Sequence, residues 1–203
     1  MDAPGITVRP LVNMANEHVF NEIIFEDVRI PARYRVGEEN RGWYIGMTTL
    51  DFERSNISSA ALYRRSLDTL VSYVKEAAAN NGDSALGKSR KNVRTALADL
   101  AVENQVGRYL SYRVASMQDR GQIPNYESSA AKVFHSEYGQ KLARLALGIL
   151  GLYGVVEEGL KYARLQGRFA RTYMTSVGST IAAGTSEIQR GIIAGRGLGL
   201  PRM

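Results

Sequence analysis

The spacing of apolar residues changes near residue 42, and this change divides the chain into two parts. Residues 1 to about 40 contain three prolines and short alternating stretches, and Phe20–Phe25 predicts a strand between turns. From Gly42 onward prolines are rare and apolar residues recur every three or four positions, the spacing of a helix with one buried face. The sequence therefore predicts a short β segment followed by a long helical region.

The helical region contains several long segments with an apolar stripe. One stripe runs from Val93 to Met117 and a second from Ala131 to Leu152. The expected helices lie at about 42–80, 93–120, 131–152 and 185–196, with a shorter piece after residue 157. Long helices of this kind pack most economically as a bundle. We therefore expect a mainly α protein, in which 41–203 form an antiparallel four-helix bundle and 1–40 form a short β segment.

The composition is that of an ordinary globular protein. The 203 residues are 44% hydrophobic and 23% charged, and the absence of Cys excludes disulfides and thiolate metal sites. The first 20 residues show no secretory signal, and the apolar run Leu142–Val156 is interrupted by Arg144 and too short for a membrane span. His18 and His135 lie apart from other metal-binding residue types. We expect a cytoplasmic protein without a membrane segment or a metal.

The net charge of +6 raises the question of a polyanionic partner. The basic residues are densest in one cluster, formed by Lys88, Arg90, Lys91 and Arg94. This cluster lacks interleaved aromatic residues and matches no nucleic-acid motif. We interpret it as a solvated surface, with attraction for the phosphates of a nucleotide cofactor as the alternative, and we expect no nucleic-acid partner.

The segment 181–190 reads as a tight turn that opens the last helix. Gly184 allows the backbone to approach a ligand closely, and Ser186 and Gln189 have the spacing of a capping box. A helix start presents unpaired N–H groups that bind a carbonyl or an anion. Taken alone, the pattern indicates a capped helix, and a ligand site is the sharper alternative.

Four segments that precede the turn favour the ligand site over a plain capped helix. They are 5–10 (Gly-Ile-Thr-Val-Arg-Pro), 20–31, 37–43 and 50–54 (Leu-Asp-Phe-Glu-Arg). Together with the turn, in this order, they resemble the C-terminal half of an acyl-CoA dehydrogenase. The resemblance implies the last strands of the family's β middle domain and its helical bundle. It also implies FAD as cofactor, an acyl-CoA substrate, electron transfer to an electron-transferring flavoprotein, and a homo-oligomer (dimer or tetramer) or a heteromer with a related subunit.

The resemblance also assigns roles to residues of the turn. Thr185, Ser186 and Glu187 would contact FAD, while Gly184 and the backbone of Ala183 would contact the thioester. N-capping is the alternative for the polar side chains, and the two roles are compatible.

The family's usual proton-abstracting Glu is replaced here by Ala183, which cannot accept a proton. Isovaleryl- and long-chain acyl-CoA dehydrogenases instead carry this base on the first long helix of the bundle, directly before an Arg. Glu53, followed by Arg54, matches that position, and helical spacing puts it on one face with Leu50 and Ile57. We predict Glu53 as the catalytic base, with a structural salt bridge as the alternative.

Arg54 and Asp51 are weaker candidates for substrate contact. For both of them, plain solvation on the helix surface is the alternative.

Two family segments that reach the FAD of a neighbouring subunit have no clear counterpart. The Arg-x-x-Phe-Gly segment is absent from 73–82, and Gln-x-x-Gly-Gly is represented by Gly148–Leu152, without the Gln and the second Gly. A non-catalytic assembly subunit is therefore the main alternative, and another flavin reaction such as monooxygenation is a third. The segment 197–202 looks most like bacterial members acting on branched, bulky or sterol-derived acyl-CoAs.

Overall fold

The computed structural model describes residues 2–53, 57–80 and 84–201, and the chain divides into two compact units, 1–49 and 50–203. Side chains are described for 2–49, 58–80 and 91–201.

The first unit contains an antiparallel hairpin of strands β1 (Ile6–Val12) and β2 (His18–Phe25). The Asn13 side-chain oxygen closes the connection by accepting hydrogen bonds from the N–H groups of Ala15 at 2.9 Å and Glu17 at 3.0 Å. Several apolar side chains of the strands are more than 60% exposed, namely Val12, Val19 and Phe25. A two-stranded sheet with so little burial is marginally stable by itself. The predicted strand at 20–25 is confirmed within β2.

Within the described residues six α-helices follow, and they lie in the predicted regions, although α3 begins nine residues before the expected start at 93. They are α1 Gly42–Glu53, α2 Ile57–Ala79, α3 Ser84–Asp119, α4 Tyr126–Leu150, α5 Arg168–Ser179 and α6 Ser186–Ile192. A π-helical turn, Ile193–Gly197, continues from α6. The expected helix over 42–80 corresponds to α1 and α2, on either side of 54–56, which lie outside the described residues.

Helices α2 to α5 form the bundle, in which consecutive helices pack against each other. Two ion pairs join α3 and α4. Glu103 pairs with Lys141, whereas Arg113, which lies later in α3, pairs with Glu127, which lies earlier in α4. These two helices are therefore antiparallel. The core consists of Leu67, Leu70, Leu97, Leu100, Tyr138, Leu142, Ala146, Leu150 and Phe169. Each large apolar side chain buried there contributes about 1.5–3 kcal/mol. The mainly α bundle preceded by a short β segment is confirmed.

The predicted stripes are buried in part. In α4, Ala131, Tyr138 and Leu142 are buried, but Leu152 is 89% exposed because α4 ends at Leu150 and a short 3₁₀ turn follows. In α3, Val106 is 44% exposed, so its inclusion in the buried stripe was wrong.

His135 is buried between α3 and α4, where its ring is hydrogen-bonded on both sides. Its Nε2 atom lies 2.9 Å from the Ser111 hydroxyl oxygen, and the ring also bonds the backbone of Gly107. Burial lowers the pKa of His135, which keeps the ring neutral, and the Gly107 hydrogen bond opposes this only in part. The role of His135 in the fold is therefore a packing role.

Gly107 makes room for this ring, and its replacement gives a prediction for stability. A methyl group at Gly107 would lie 2.8 Å from Cε1 of His135, a buried ring that has no space to move. We expect Gly107→Ala to lower the free energy of unfolding by about 1–3 kcal/mol through overpacking. Denaturant unfolding measures the change.

Gly148→Ala is the matched control, because Gly148 lies inside α4 with open space where the methyl group would go. We expect it to raise the free energy of unfolding by about 0.5–1 kcal/mol through helix propensity alone. Equal stabilities of the two variants would show that the ring does not fill the space beside Gly107.

Candidate functional site

The turn between α5 and α6 has a left-handed backbone at two consecutive residues. Ala183 has φ +54° and Gly184 has φ +90°. A Cβ atom at Gly184 would lie 2.4 Å from Nε2 of Gln189, so both the dihedral angle and the packing require glycine. Ala183 lacks that freedom, and a left-handed non-glycine residue costs on the order of 1 kcal/mol. The turn is thus held in a conformation that the surrounding structure must maintain.

The helix after this turn is capped by a different residue from the one predicted. The Thr185 hydroxyl accepts a hydrogen bond from the Ile188 N–H at 3.3 Å, so Thr185 is the N-cap of α6. Ser186 is the first helical residue, and Gln189 donates from Nε2 to the Ala183 carbonyl at 3.0 Å. The predicted Ser186–Gln189 capping box was therefore wrong, because the cap lies one residue earlier.

The turn presents a run of free backbone donors. The N–H groups of Ala183, Gly184 and Thr185 have no hydrogen-bond partner within the described part of the chain. Successive N–H groups in such conformations form a concave site for an anion or a carbonyl oxygen. Ser186 adds no free backbone donor to this run, because its N–H bonds the Thr180 carbonyl at 3.0 Å. Its hydroxyl is buried without a partner among the described atoms.

Glu187 is exposed at the start of α6. Hydrogen bonds from its own N–H and from the Thr185 hydroxyl lower the pKa of its carboxyl, and Arg190 and Lys132 add a smaller electrostatic effect. The carboxylate is therefore ionised at neutral pH and free to accept further donors. Such a group suits contact with hydroxyls of a ligand.

A cleft of about 580 Å³ lies beside the turn, between α4 and the start of α6. Its lining includes Gln140, Arg144, Thr180, Thr185, Glu187 and Arg190.

Two of the cleft's cations are neutralised, since Arg190 pairs with Glu137 at 2.6 Å and Lys141 pairs with Glu103. Arg144 has no carboxylate partner among the described side chains and bonds only the Gln140 oxygen at 3.3 Å. The cleft thus combines an unpaired cation with the donors of the turn.

The predicted base and two of its neighbours cannot be placed. Glu53 is the last residue of α1, and Asp51 lies in the same helix, but their side chains are outside the described part of the structure. Arg54 lies outside the described residues altogether. The structure brings together Ala183, Gly184, Thr185, Ser186 and Glu187, whereas the roles of Glu53, Asp51 and Arg54 stay predictions.

Sequence reasoning missed the side chains that anchor the turn. Gln140 donates from Nε2 to the Thr180 hydroxyl at 3.2 Å, and Gln189 bonds the Ala183 carbonyl. The spacing of Gln140 and Arg144, two polar residues four apart in α4, was the available signal. For Gln189, the sequence offered no signal except its spacing from Ser186, which predicted a capping box and not a bond to the Ala183 carbonyl.

Within the described ranges, no helix is long and apolar enough to span a bilayer. The same residues include no group of three or more His, Cys, Asp or Glu side chains arranged to hold a metal ion.

The bundle, the donor-rich turn and the cleft define an α-helical domain with a candidate ligand site, and comparison with known proteins identifies the family of this domain. The family described as acyl-CoA dehydrogenase, C-terminal domain, matches residues 40–198. The chain belongs to the acyl-CoA dehydrogenase family and corresponds to its C-terminal half.

Individual relatives agree with this membership. The chain is 31% identical over 204 residues to acyl-CoA dehydrogenase IpdE1 of Mycobacterium tuberculosis, covering 100% of this chain and 49% of that protein. It also resembles the ChsE4–ChsE5 complex from Mycobacterium tuberculosis (TM-score 0.83, 32% identity, 100% of this chain and 52% of that chain). For the Tcur3481–Tcur3483 steroid ACAD, the TM-score is 0.84 and the identity is 26%, covering 100% of this chain and 50% of that chain. The chain thus spans about half the length of these relatives.

The corrected cap yields a prediction. Thr185→Ala removes the acceptor for the Ile188 N–H, so we expect the free energy of unfolding to fall by about 1 kcal/mol. Ser186→Ala removes a buried hydroxyl that has no partner, and we expect a change of no more than about 0.5 kcal/mol. Thermal or denaturant unfolding of both variants decides between them. The reverse order of effects would restore Ser186 as the cap.

Proposed function

We propose that this chain works in the FAD-dependent α,β-desaturation of an acyl-CoA thioester, as the C-terminal half of an acyl-CoA dehydrogenase. The observation that carries the proposal is the run of N–H groups at Ala183–Thr185 that have no partner in the described part of the chain, beside a cleft in which Arg144 has no carboxylate partner among the described side chains. Family membership supplies the reaction class, and the turn supplies donors of the kind that class requires. Steroid-derived acyl groups are the proposed substrate class, because one structural relative is a steroid ACAD.

Binding of the thioester carbonyl is assigned to the backbone of Ala183 and Gly184. Removal of the α-proton places negative charge on the carbonyl oxygen, and N–H groups aimed at that oxygen stabilise the charge. Each such donor contributes on the order of 3 kcal/mol in an enclosed site. Because the donors belong to the main chain, the Ala at position 183 does not remove them.

Proton abstraction is assigned to Glu53, because the methyl group of Ala183 cannot accept a proton. An apolar environment would raise the pKa of such a carboxyl and make it a stronger base. Arg54 and Asp51, its neighbours in the chain, are assigned to orienting the base and contacting the substrate.

The residues present fit FAD as the cofactor. The N–H of Thr185 and the guanidinium of Arg144 suit its phosphates, while Glu187 suits its hydroxyls. Ser186 is assigned to the same group of contacts through its hydroxyl, which has no partner among the described atoms. When bound, the flavin accepts the hydride that leaves the β-carbon. An electron-transferring flavoprotein is the proposed acceptor of the electrons.

A second candidate function is assembly. Helix α3 exposes a continuous apolar face, which we call the α3 face: Val102, Val106, Tyr109 and Tyr112, each between 44% and 68% exposed. A face of this kind favours burial against another subunit. The two segments without counterparts at 73–82 and 148–152 also favour a heteromer, in which a related subunit completes the FAD contacts. The ChsE4–ChsE5 relative is itself a complex of two different proteins.

Flavin absorbance of the purified protein distinguishes the two functions. We expect a yellow oligomer that bleaches when an acyl-CoA is added without oxygen, because substrate oxidation reduces the flavin. A colourless, stable oligomer would instead support the assembly role. Size-exclusion chromatography with light scattering gives the oligomeric state in the same preparation.

The assignment of the base gives a kinetic prediction for the complete flavoprotein. We expect Glu53→Gln to slow flavin reduction by acyl-CoA by at least about 10²-fold, since a neutral amide cannot take the α-proton. The double variant Glu53→Gln/Ala183→Glu moves a carboxylate to the family's usual position and should recover part of the rate. Stopped-flow absorbance measures both rates.

Glu76→Gln is the control, because Glu76 is an exposed carboxylate of α2. It should leave the rate unchanged. An undiminished rate in Glu53→Gln would remove Glu53 from the mechanism.

A further inference from the structure

We propose that Lys132 is a positioning residue whose buried positive charge makes the turn and the cleft favour an anionic ligand, in particular a thioester that has lost its α-proton. The inference rests on the proposed function for its ligand. Its electrostatic part concerns the charge that acts on Glu187 at the start of α6, and this part is testable without any ligand.

The first step is the burial of Lys132. This side chain of α4 is 5% exposed, and its Nζ atom is buried without a hydrogen-bond partner among the described atoms. Burial of an ammonium group without a partner is costly, and an apolar side chain of similar length would avoid that cost. The stability of the bundle therefore does not account for a lysine at this position. A role for its charge does.

The second step is the reach of that charge. Helix α6 packs against α4, and burial lowers the pKa of Lys132 while the carboxylates of Glu137 and Glu187 favour its charged form. Hydrogen bonds from its own N–H and from Thr185 lower the pKa of Glu187, and the charge of Lys132 adds a smaller effect. Glu187 lines the cleft beside the turn, whereas Lys132 does not. Lys132 therefore acts on the site through its charge and not by contact.

The third step is the charge balance of the cleft. The two ion pairs at the cleft described above each cancel, and the remaining described charges of its lining, those of Arg144 and Glu187, also cancel. Lys132 therefore gives this region its net positive charge. A buried charge is screened less than an exposed one. An oxygen that gains negative charge at the turn is thus stabilised by the lysine in addition to the N–H groups.

The ligand test uses acetoacetyl-CoA in the complete flavoprotein, because the proton between its two carbonyl groups is acidic and the bound thioester can be titrated. We expect the unmodified protein to lower the pKa of the probe below its value in solution. In Lys132→Met, the acid dissociation constant of the bound probe should fall about 10-fold, which raises its pKa. Ultraviolet absorbance of the ionised probe measures this constant. A merely structural role would weaken binding without changing the pKa of the bound probe.

Three further variants sharpen the comparison. Lys132→Gln is a second neutral variant and should show the same rise in pKa, even where Lys132→Met fails to fold. Lys132→Arg keeps the charge and should keep most of the effect. Lys75→Met makes the same change at an exposed lysine of α2 and should leave the bound pKa unchanged. An unchanged bound pKa in the folded neutral variants of Lys132 would overturn the proposal.

The ligand-free test is a titration of the Glu187 carboxyl, followed by nuclear magnetic resonance in the unmodified chain and in Lys132→Met. We expect the pKa of Glu187 to rise in the variant, because a nearby positive charge is lost. An unchanged Glu187 pKa would overturn the electrostatic role. If the unmodified protein leaves the pKa of acetoacetyl-CoA at its solution value, the proposed carbonyl site fails instead. The titration of Glu187 then still decides whether the charge of Lys132 reaches the turn.

Discussion

Helix α4 packs against α2, α3, α5 and α6, and this enclosure governs the chemistry of its buried polar residues. Little water reaches them, so their partners must come from the protein. Ser136 bonds the carbonyl of Lys132 in the preceding turn at 2.9 Å, and His135 bonds Ser111 on α3. Gln140 extends the same principle to the connection after α5 by bonding Thr180. The position of the candidate site is therefore fixed through α4.

Lys132 is the departure from this pattern, because its ammonium nitrogen is buried without a hydrogen-bond partner among the described atoms. Burial lowers its pKa, while the negative charges of Glu137 and Glu187 oppose the shift. Both carboxylates belong to the margin of the cleft beside the turn. The electrostatics of the buried helix and of the candidate site are thus coupled.

Periodicity predicted the helices well because burial of an apolar stripe is a local property of the sequence. Ala131, Tyr138 and Leu142 recur at helical spacing and are buried. Val106 departs from this spacing, because it lies six residues after Leu100 and therefore about 120° away around the helix, where its side chain is exposed.

The sequence predicted where the turn lies but not the hydrogen bonds that it forms. Thr185 and Ser186 are both good caps, and only the backbone dihedral angles decide between them. Gln189 bonds a carbonyl six residues away, a contact that depends on the left-handed Ala183–Gly184 backbone. No pattern of residue types specifies such a backbone when one of its two positions is alanine.

The proposed division between main-chain and side-chain chemistry would allow the base to stand at a position other than 183. A carbonyl site made from backbone N–H groups depends on the shape of the turn, which Gly184 and Gln189 maintain. It does not depend on the side chain at position 183. The strain of a left-handed backbone arises at the Cβ atom, so Ala183 bears it as a glutamate at this position would. Glutamate is unstrained on a helix, where we propose that Glu53 serves as the base. On this proposal, Ala183 gives up the carboxylate and keeps the N–H that the carbonyl site needs.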